Sequence, residues 1–380
     1  MSGPLLLSNA ESPEAVCENK SYLREQLITY IGNKRSLLGF IGAGIRRVQK
    51  RLNRNSLDTF DVFSGSGIVA RYFKQFSRLI IANDLEKYSR VINECYLSNR
   101  SETDMPLLKQ YYDEITGELA NRPLGRGLIS GLYAPEDENV IRPGERVFYT
   151  VRNAAYIDTA RRLIGGLPEG AQKYFLAPLL SEASIHANTC GVFKGFYKNR
   201  ETGTGQYGGR NRNALGRITG NIELPFPVFS SFDSDVMVCQ GDANAVIEYV
   251  PEVDVAYVDP PYNQHPYGSN YFMLNLILDN KRPEHISAVS GIPEDWNRSR
   301  YNSAKSARAA MTELLSAIKA KFLLISFNSE GFISPPEMKD MLGGLGALEA
   351  LETTYNVFKG SRNLNNRNIH VKEYLYLLEK

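Results

Sequence analysis

The sequence predicts an α/β fold: an open, mostly parallel sheet with crossover helices, interrupted midway by a second unit. Three observations carry this. Short apolar runs that end in an acid or a glycine turn alternate with amphipathic helical stretches at both ends of the chain, the pattern of strand–helix–strand units. The alternation stops between about Ser101 and Asp233 and then resumes. The chain has 380 residues, enough for one large α/β domain and a further unit.

In chain order, "RSLLGFIGAGIRRVQKRLN" places Leu37, Ile41, Ile45, Val48 and Leu52 on one helical face with basic residues opposite. "SLDTFDVFSGSG" reads as a strand ending in a glycine turn, and "IVARYFKQF" as the helix that leaves it. "SRLIIANDL" is a second strand ending in Asp84, followed by the helix "EKYSRVINECYLSN". Parallel strands joined by helices follow from this order. Between residues 101 and 233, turn-rich pieces mix with helical ones such as "AAYIDTARRLIGGL" and "AQKYFLAPLLSEASIHAN". This region reads as an inserted domain, leaving 1–100 and 234–380 to form the sheet domain. Strands resume at "SDVMVCQGDA", "VDVAYVDPPY" and "KFLLISFNSEGF". "TYNVFKG" and "KEYLYLLEK" then read as a C-terminal β-hairpin around the polar loop "SRNLNNRNIHV".

Composition excludes several classes. At 43% hydrophobic and 23% charged the chain is ordinary for a globular protein. No apolar run is long enough to cross a membrane. "MSGPLLLSNAESPEAV" has no basic leader, so no secretory signal is expected and the cytoplasm is the expected location. Cys17, Cys95, Cys190 and Cys239 are scattered, which predicts buried thiols rather than disulfides or a zinc site. The four histidines (His186, His265, His285, His370) suggest no metal cluster.

Net charge is only +2, but the basic residues are clustered. Residues 30–57 hold seven Lys or Arg and no acid; residues 194–217 hold six against Glu201 alone. The first cluster is either phosphate-binding or simply the solvated face of a helix. The second lies in a Gly- and Asn-rich loop, where a phosphate-binding role is favoured.

Ligands of open α/β sheets sit at the carboxyl ends of the strands. Four ends carry polar signals in order: "DVFSGSG", "ANDL", "GDA" and "DPPY". Gly65 and Gly67 permit a tight turn and a close approach of backbone to ligand, although the turn lacks the full dinucleotide fingerprint. Asp84 can accept from a ribose diol or cap the next helix. Asp242 can receive the amino group of an adenine ring or cap a helix. In "DPPY", Pro260 and Pro261 remove two backbone donors and stiffen the strand exit. The Asp259 carboxylate and the Pro260 carbonyl then suit the two hydrogens of a planar amino group, beside the aromatic face of Tyr262.

These motifs, with "TYIGNKRSLL" ahead of the glycine turn, resemble those of S-adenosylmethionine-dependent DNA adenine-N6 methyltransferases. Their order, with the insert between "NDL" and "GDA", is similar to the alpha group of these enzymes. The resemblance implies a Rossmann-like methyltransferase sheet plus an inserted target-recognition domain at 101–233. It implies S-adenosylmethionine as cofactor, double-stranded DNA as substrate, no metal, and a role in restriction–modification beside a cognate endonuclease. By position, Tyr30 and Lys34 would contact the methionine part of the cofactor. Asp61, Phe63, Gly65 and Gly67 would shape its pocket, Asp84 would bind the ribose and Asp242 the adenine. Asp259, Pro260, Pro261 and Tyr262 would hold a flipped target adenine for direct methyl transfer. Lys194, Lys198, Arg200, Arg210, Arg212 and Asn213 of the insert, and Arg362 and Arg367 near the C-terminus, are the DNA-binding candidates. "TCGVFKGFYKNR" resembles the start of the recognition hairpin of enzymes reading GATC, but no "NVPFG" follows, which implies another target sequence. The same core motifs also suit RNA adenine, cytosine N4 or a protein amide; a non-catalytic DNA-binding protein on this scaffold is a further alternative, against which the intact Asp84, Asp242 and Asp259 argue.

Overall fold

A computed structural model describes residues 17–209, 212–328, 331–356 and 370–380. Seven strands form one sheet: β1 (Leu57–Asp61), β2 (Ser77–Asp84), β3 (Asp235–Gln240), β4 (Val253–Val258), β5 (Ala320–Asn328), β6 (Ala347–Asn356) and β7 (His370–Glu379). Their spatial order is β3-β2-β1-β4-β5-β7-β6. The first five run parallel, and β7 lies antiparallel between β5 and β6. The parallel, helix-connected sheet and the antiparallel C-terminal strands are as expected. The loop joining β6 to β7, with Arg362 and Arg367, lies outside the described residues, as does Arg210.

The helices are α1 (Leu38–Leu52), α2 (Ile68–Phe73), α3 (Lys87–Tyr96), α4 (Met105–Asn121), α5 (Leu128–Tyr133), α6 (Val151–Gly165), α7 (Glu169–Ile185), α8 (Leu215–Thr219), α9 (Ala243–Val246), α10 (Tyr267–Asn270), α11 (Phe272–Asp279), α12 (Ala307–Ala317) and α13 (Pro335–Gly343). Strand alternation sorts side chains to two faces. Val255 and Tyr257 of β4 pack with Ile41, Ile45 and Val48 of α1 and Ile68 and Phe73 of α2. Ala256 and Val258 pack with α9, α12 and α13 on the other face. A third apolar cluster joins α4, α6 and α7 to α3, α11 and the segment holding Tyr22 and Ile28. The helices between 101 and 233 thus rest on pieces of chain outside that range.

The first basic cluster takes the solvated-face reading in large part. Arg47 and Arg51 pair with Glu349 at 2.9 and 2.8 Å, Arg51 also with Glu379 at 2.9 Å, and Arg54 with Asp254 at 3.3 Å. The Arg47 and Arg51 pairs are exposed and contribute about 1 kcal/mol or less each, whereas Asp254 is buried. All four cysteines are free. Cys95 and Cys239 are buried as expected, but Cys17 and Cys190 are exposed, Cys190 because it lies in the loop that follows α7. No described helix is long and apolar enough to cross a membrane.

Candidate active site

The carboxyl ends of β1, β2, β3 and β4 open onto one cleft of about 850 Å³, counting the solvent space within its mouth. Its wall contains Tyr30, Lys34, Phe63, Gly65, Asp84, Asp242, Asp259 and Pro261, gathered from five separate stretches of sequence. Asp61 and Gly67 stand behind this wall, while Pro260 and Tyr262 line a small adjoining cavity with Phe327, Phe332 and Ile333.

The glycine turn follows the sequence expectation. Gly65 and Gly67 have φ of +53° and +76°, and a Cβ on Gly65 would lie 2.8 Å from the Tyr30 ring. Tyr30 closes down on the turn because nothing projects from it. Its ring stacks on Tyr267 at 4.9 Å and on Tyr271 at 4.7 Å between centroids. Tyr267, in the continuation "NQHPYG", therefore closes the Tyr30 side of the cleft. His265 in the same stretch is exposed.

Asp84 does not cap α3, whose first residue follows Glu86. Its Oδ2 accepts from the Gly65 amide at 2.8 Å and its Oδ1 from the Glu86 amide at 2.9 Å, so it ties the β1 turn to the β2 exit. Burial pushes its carboxyl up to about 6 against these backbone bonds. Asp242 does cap a helix: its Oδ1 accepts from the Asn244 amide at 3.0 Å at the start of α9. Its carboxylate still borders the cleft, so the capping and ligand readings are compatible.

Lys34 is buried, and its ammonium sits between two carboxylates, 3.1 Å from Asp259 Oδ1 and 3.1 Å from Glu373 Oε1. Ionic attraction to both holds its pKa above the ordinary value against the opposing effect of burial. Asp259 is pushed up to about 6, chiefly by burial; Lys34 lowers it and Glu373 raises it. Asp61 is pushed up to about 8 by burial and then by the Asp259 charge. Both carboxylate oxygens of Asp61 are buried without a hydrogen-bond partner, and the nearby Ser64 hydroxyl donates instead to Asn93 at 3.0 Å. The Tyr262 ring meets Phe327 edge-on at 5.9 Å, and Lys34 Nζ lies 5.8 Å from its centroid.

Several cleft residues carry no motif signal. Glu86 is buried, pushed up to about 7 by burial and the Asp84 charge, and its Oε2 accepts from Asn275 at 2.6 Å and Asn297 at 3.2 Å. Residues 297–302 form a strap across the cleft. Tyr301 packs edge-on against Phe63 at 5.1 Å, and Asn302 donates to the carbonyl of Asn263, just past "DPPY", at 2.8 Å. Glu373 reaches the site from β7.

In the insert, Lys194, Lys198, Arg200, Arg212 and Asn213 are exposed on the stretch that follows α7. Lys198 pairs with Gly205 in an isolated antiparallel bridge, which closes a small turn. Arg217 does something else: its guanidinium donates to the carbonyls of Ile185, Ala187 and Thr189 and so caps the end of α7. Among the described residues no group of three or more His, Cys, Asp or Glu converges as a metal site would require.

Known proteins resemble this chain along most of its length. M.NlaIII, a type II methyltransferase of Neisseria lactamica, is 30% identical over 363 residues, covering 93% of this chain and 99% of that protein. M.CviAII, a type II methyltransferase of Paramecium bursaria Chlorella virus 1, is 28% identical over 358 residues, 92% and 98% of the two chains. Modification methylase StsI of Streptococcus sanguinis is 26% identical over 373 residues, 92% of this chain but 52% of StsI. A family model for the D12 class of N6 adenine-specific DNA methyltransferases matches residues 30–341, and the chain belongs to that family.

Proposed function

We propose that this chain is the modification enzyme of a restriction–modification pair, working in the cytoplasm beside a cognate endonuclease that acts on the same site. Family membership makes the substrate DNA, the product N6-methyladenine and the methyl donor S-adenosylmethionine. The type II names of M.NlaIII and M.CviAII support the pairing with an endonuclease.

The residue roles follow from one observation: Asp259 lines the same cleft as Asp84 and Asp242. On this reading, an acceptor for a target amino group and a pocket for the methyl donor would be parts of one cavity. The cleft suits the cofactor in size and in charge. Carboxylates of Asp84, Glu86 and Asp242 border it, while Lys34, a cation of its wall, is already paired, so a sulfonium-bearing ligand with ribose hydroxyls is favoured. Gly65, with its missing Cβ, leaves the close approach such a ligand needs.

Bound S-adenosylmethionine supplies an electrophilic methyl group on sulfur. The chain supplies orientation and electrostatics. Asp259 and the Pro260 carbonyl accept the two amino hydrogens of adenine, which favours a pyramidal nitrogen and localises its lone pair. Tyr262 offers an aromatic surface to the base, offsetting part of the few kcal/mol needed to flip it from the duplex. Asp84 and Asp242 hold the ribose and adenine of the cofactor, and Tyr30 with Phe63 encloses it. Residues 101–233 form the recognition domain, with Lys194, Lys198, Arg200, Arg212 and Asn213 facing DNA.

The test is incubation with labelled cofactor and sets of duplex DNA and RNA, followed by nucleoside analysis. Label in N6-methyladenine from DNA, lost in Asp259→Ala while S-adenosylhomocysteine still binds, is the expected result. Wild-type turnover by Asp259→Ala would sink the assigned role.

A further inference from the structure

We propose that Glu373 is a positioning residue for methyl transfer: it holds Lys34 between two carboxylates and so sets the orientation and charge of Asp259. The inference rests on the reading of Asp259 as the amino acceptor.

Glu373 is fully buried near the start of β7, in register with Asn328 of β5 and Thr353 of β6. Ser326 Oγ donates to its Oε1 at 2.6 Å, and the same oxygen lies 3.1 Å from Lys34 Nζ. Its Oε2 is buried without a hydrogen-bond partner. The four residues Leu375–Leu378 that follow in the strand are apolar or aromatic and all buried. A carboxylate at such a position is unfavourable for folding, and packing alone would be served better by an apolar side chain. Its placement, one lysine away from Asp259, points to the chemistry of the cleft.

The arrangement has two consequences. First, Lys34 is anchored from behind. With Glu373 as a second partner, the ammonium does not collapse onto both oxygens of Asp259, and one carboxylate edge stays available to the adenine amino group. Second, two carboxylates around one cation leave an excess negative charge in a buried place. Were the amino lone pair to form the new N–C bond, with the methyl group's former bonding pair leaving on the released thioether, N6 would be cationic until it passed a proton to water. A negative cluster behind Asp259 favours that developing charge.

The other titratable groups facing the cluster are Asp61 at the end of β1, Tyr257 of β4, Tyr262 of the following loop and Tyr267 of α10. Burial holds the three tyrosines above their ordinary range and Asp61 at about 8; Asp259 changes charge near pH 6, as does Asp84 on the cofactor side of the cleft, and of these two only Asp259 feels Lys34 and Glu373 directly.

The experiment is single-turnover methyl transfer as a function of pH, at saturating DNA and S-adenosylmethionine, for wild type, Glu373→Gln and Lys34→Met, with S-adenosylhomocysteine binding measured by calorimetry. Glu373→Gln removes a negative neighbour of Asp259. Its rate should fall about tenfold, and the acid limb of its profile should move down by about half a pH unit or more. Lys34→Met removes the cation, and its acid limb should move up. Affinity for S-adenosylhomocysteine should change less than about twofold in Glu373→Gln, since Glu373 does not line the cofactor cleft. An unmoved acid limb in a folded Glu373→Gln protein overturns the proposal. Should that variant fail to fold, Glu373→Met, which also removes the charge, is read the same way: a downward move supports the proposal and an unmoved limb overturns it. Asp259→Asn separates the two ideas. If it turns over normally, the reading of Asp259 itself has failed; if it is inactive while the Glu373→Gln limb stays in place, only the inference about Glu373 has failed.

Discussion

A Cβ placed on Gly268 would lie 2.5 Å from the carbonyl oxygen of Asn297 and 3.1 Å from Glu86 Oε1. Helix α10, just past "DPPY", can therefore meet the 297–302 strap only because residue 268 has no side chain. Asn297 also donates to Glu86, so this contact helps to fix a carboxylate of the cleft wall. Gly268→Ala should push the strap away, destabilise the fold by about 1–3 kcal/mol, and weaken S-adenosylhomocysteine binding by about tenfold. Calorimetry and thermal unfolding measure the two effects. Unchanged affinity would mean that the strap does not shape the cofactor side of the cleft.

The carboxyl groups of the cleft make a prediction about pH. Burial holds Asp61 at about 8, Glu86 at about 7, and Asp84 and Asp259 at about 6. All four folded values lie above the unfolded ones, near 4. The folded chain therefore binds more protons than the unfolded chain between about pH 4 and 8, and these groups make it less stable as pH rises through that window. Asp61→Asn removes the group with the highest value. It should flatten the decline between about pH 7 and 8 and leave the protein more stable than wild type at the top of that range. Thermal unfolding in the absence of cofactor checks this; parallel curves for the two proteins would contradict it.

How far the sequence reveals the site depends on where each residue's partners lie. The acids at Asp84, Asp242 and Asp259 could be found because each ends an apolar strand, and the parallel order of the strands brings those ends together. Gly65 could be found because a turn between strand and helix favours glycine. Glu373 could not: it lies in a strand where its partner residues, Asn328 and Thr353, are set by register, and in the sequence it reads as an ordinary charge before "YLYLLEK". Glu86, Asn297 and Tyr301 were hidden because the 297–302 strap has no periodic pattern, and its contacts to α10 and Phe63 are long-range. Arg217 misled in the other direction, since composition counts it with the basic loop while three carbonyls at the end of α7 hold it.

That distinction separates two kinds of arginine and lysine in the insert. Lys194, Lys198 and Arg200 are exposed, and if they meet phosphates each should contribute about one counterion to binding. Replacing any of them by Ala should lower the slope of log K against log salt by about one, with little change in thermal stability. Arg217→Ala should do the reverse, leaving three carbonyls without their donor and lowering stability by about 1–3 kcal/mol. Binding to duplex DNA across a salt series, together with unfolding curves, tells the two apart. An Arg217→Ala protein of full stability with a reduced salt slope would return that residue to the DNA surface.

Asp84 combines a structural and a ligand role, and its variants should separate them. Both oxygens already accept backbone amides, from Gly65 at 2.8 Å and Glu86 at 2.9 Å, so the carboxylate holds the glycine turn in place before any ligand arrives. Asp84→Asn keeps one acceptor oxygen but presents an amino group to the other amide, which leaves one donor unsatisfied and should cost about 1–3 kcal/mol. If Asp84 also accepts from a ribose diol, the Asn variant should bind S-adenosylhomocysteine at least about tenfold more weakly, while an analogue lacking the ribose hydroxyls should bind wild type and variant alike. If the role is the turn alone, both ligands should weaken by the same factor, because the whole wall has shifted. The ratio of the two affinities, not the loss of either, therefore decides whether this carboxylate touches the cofactor.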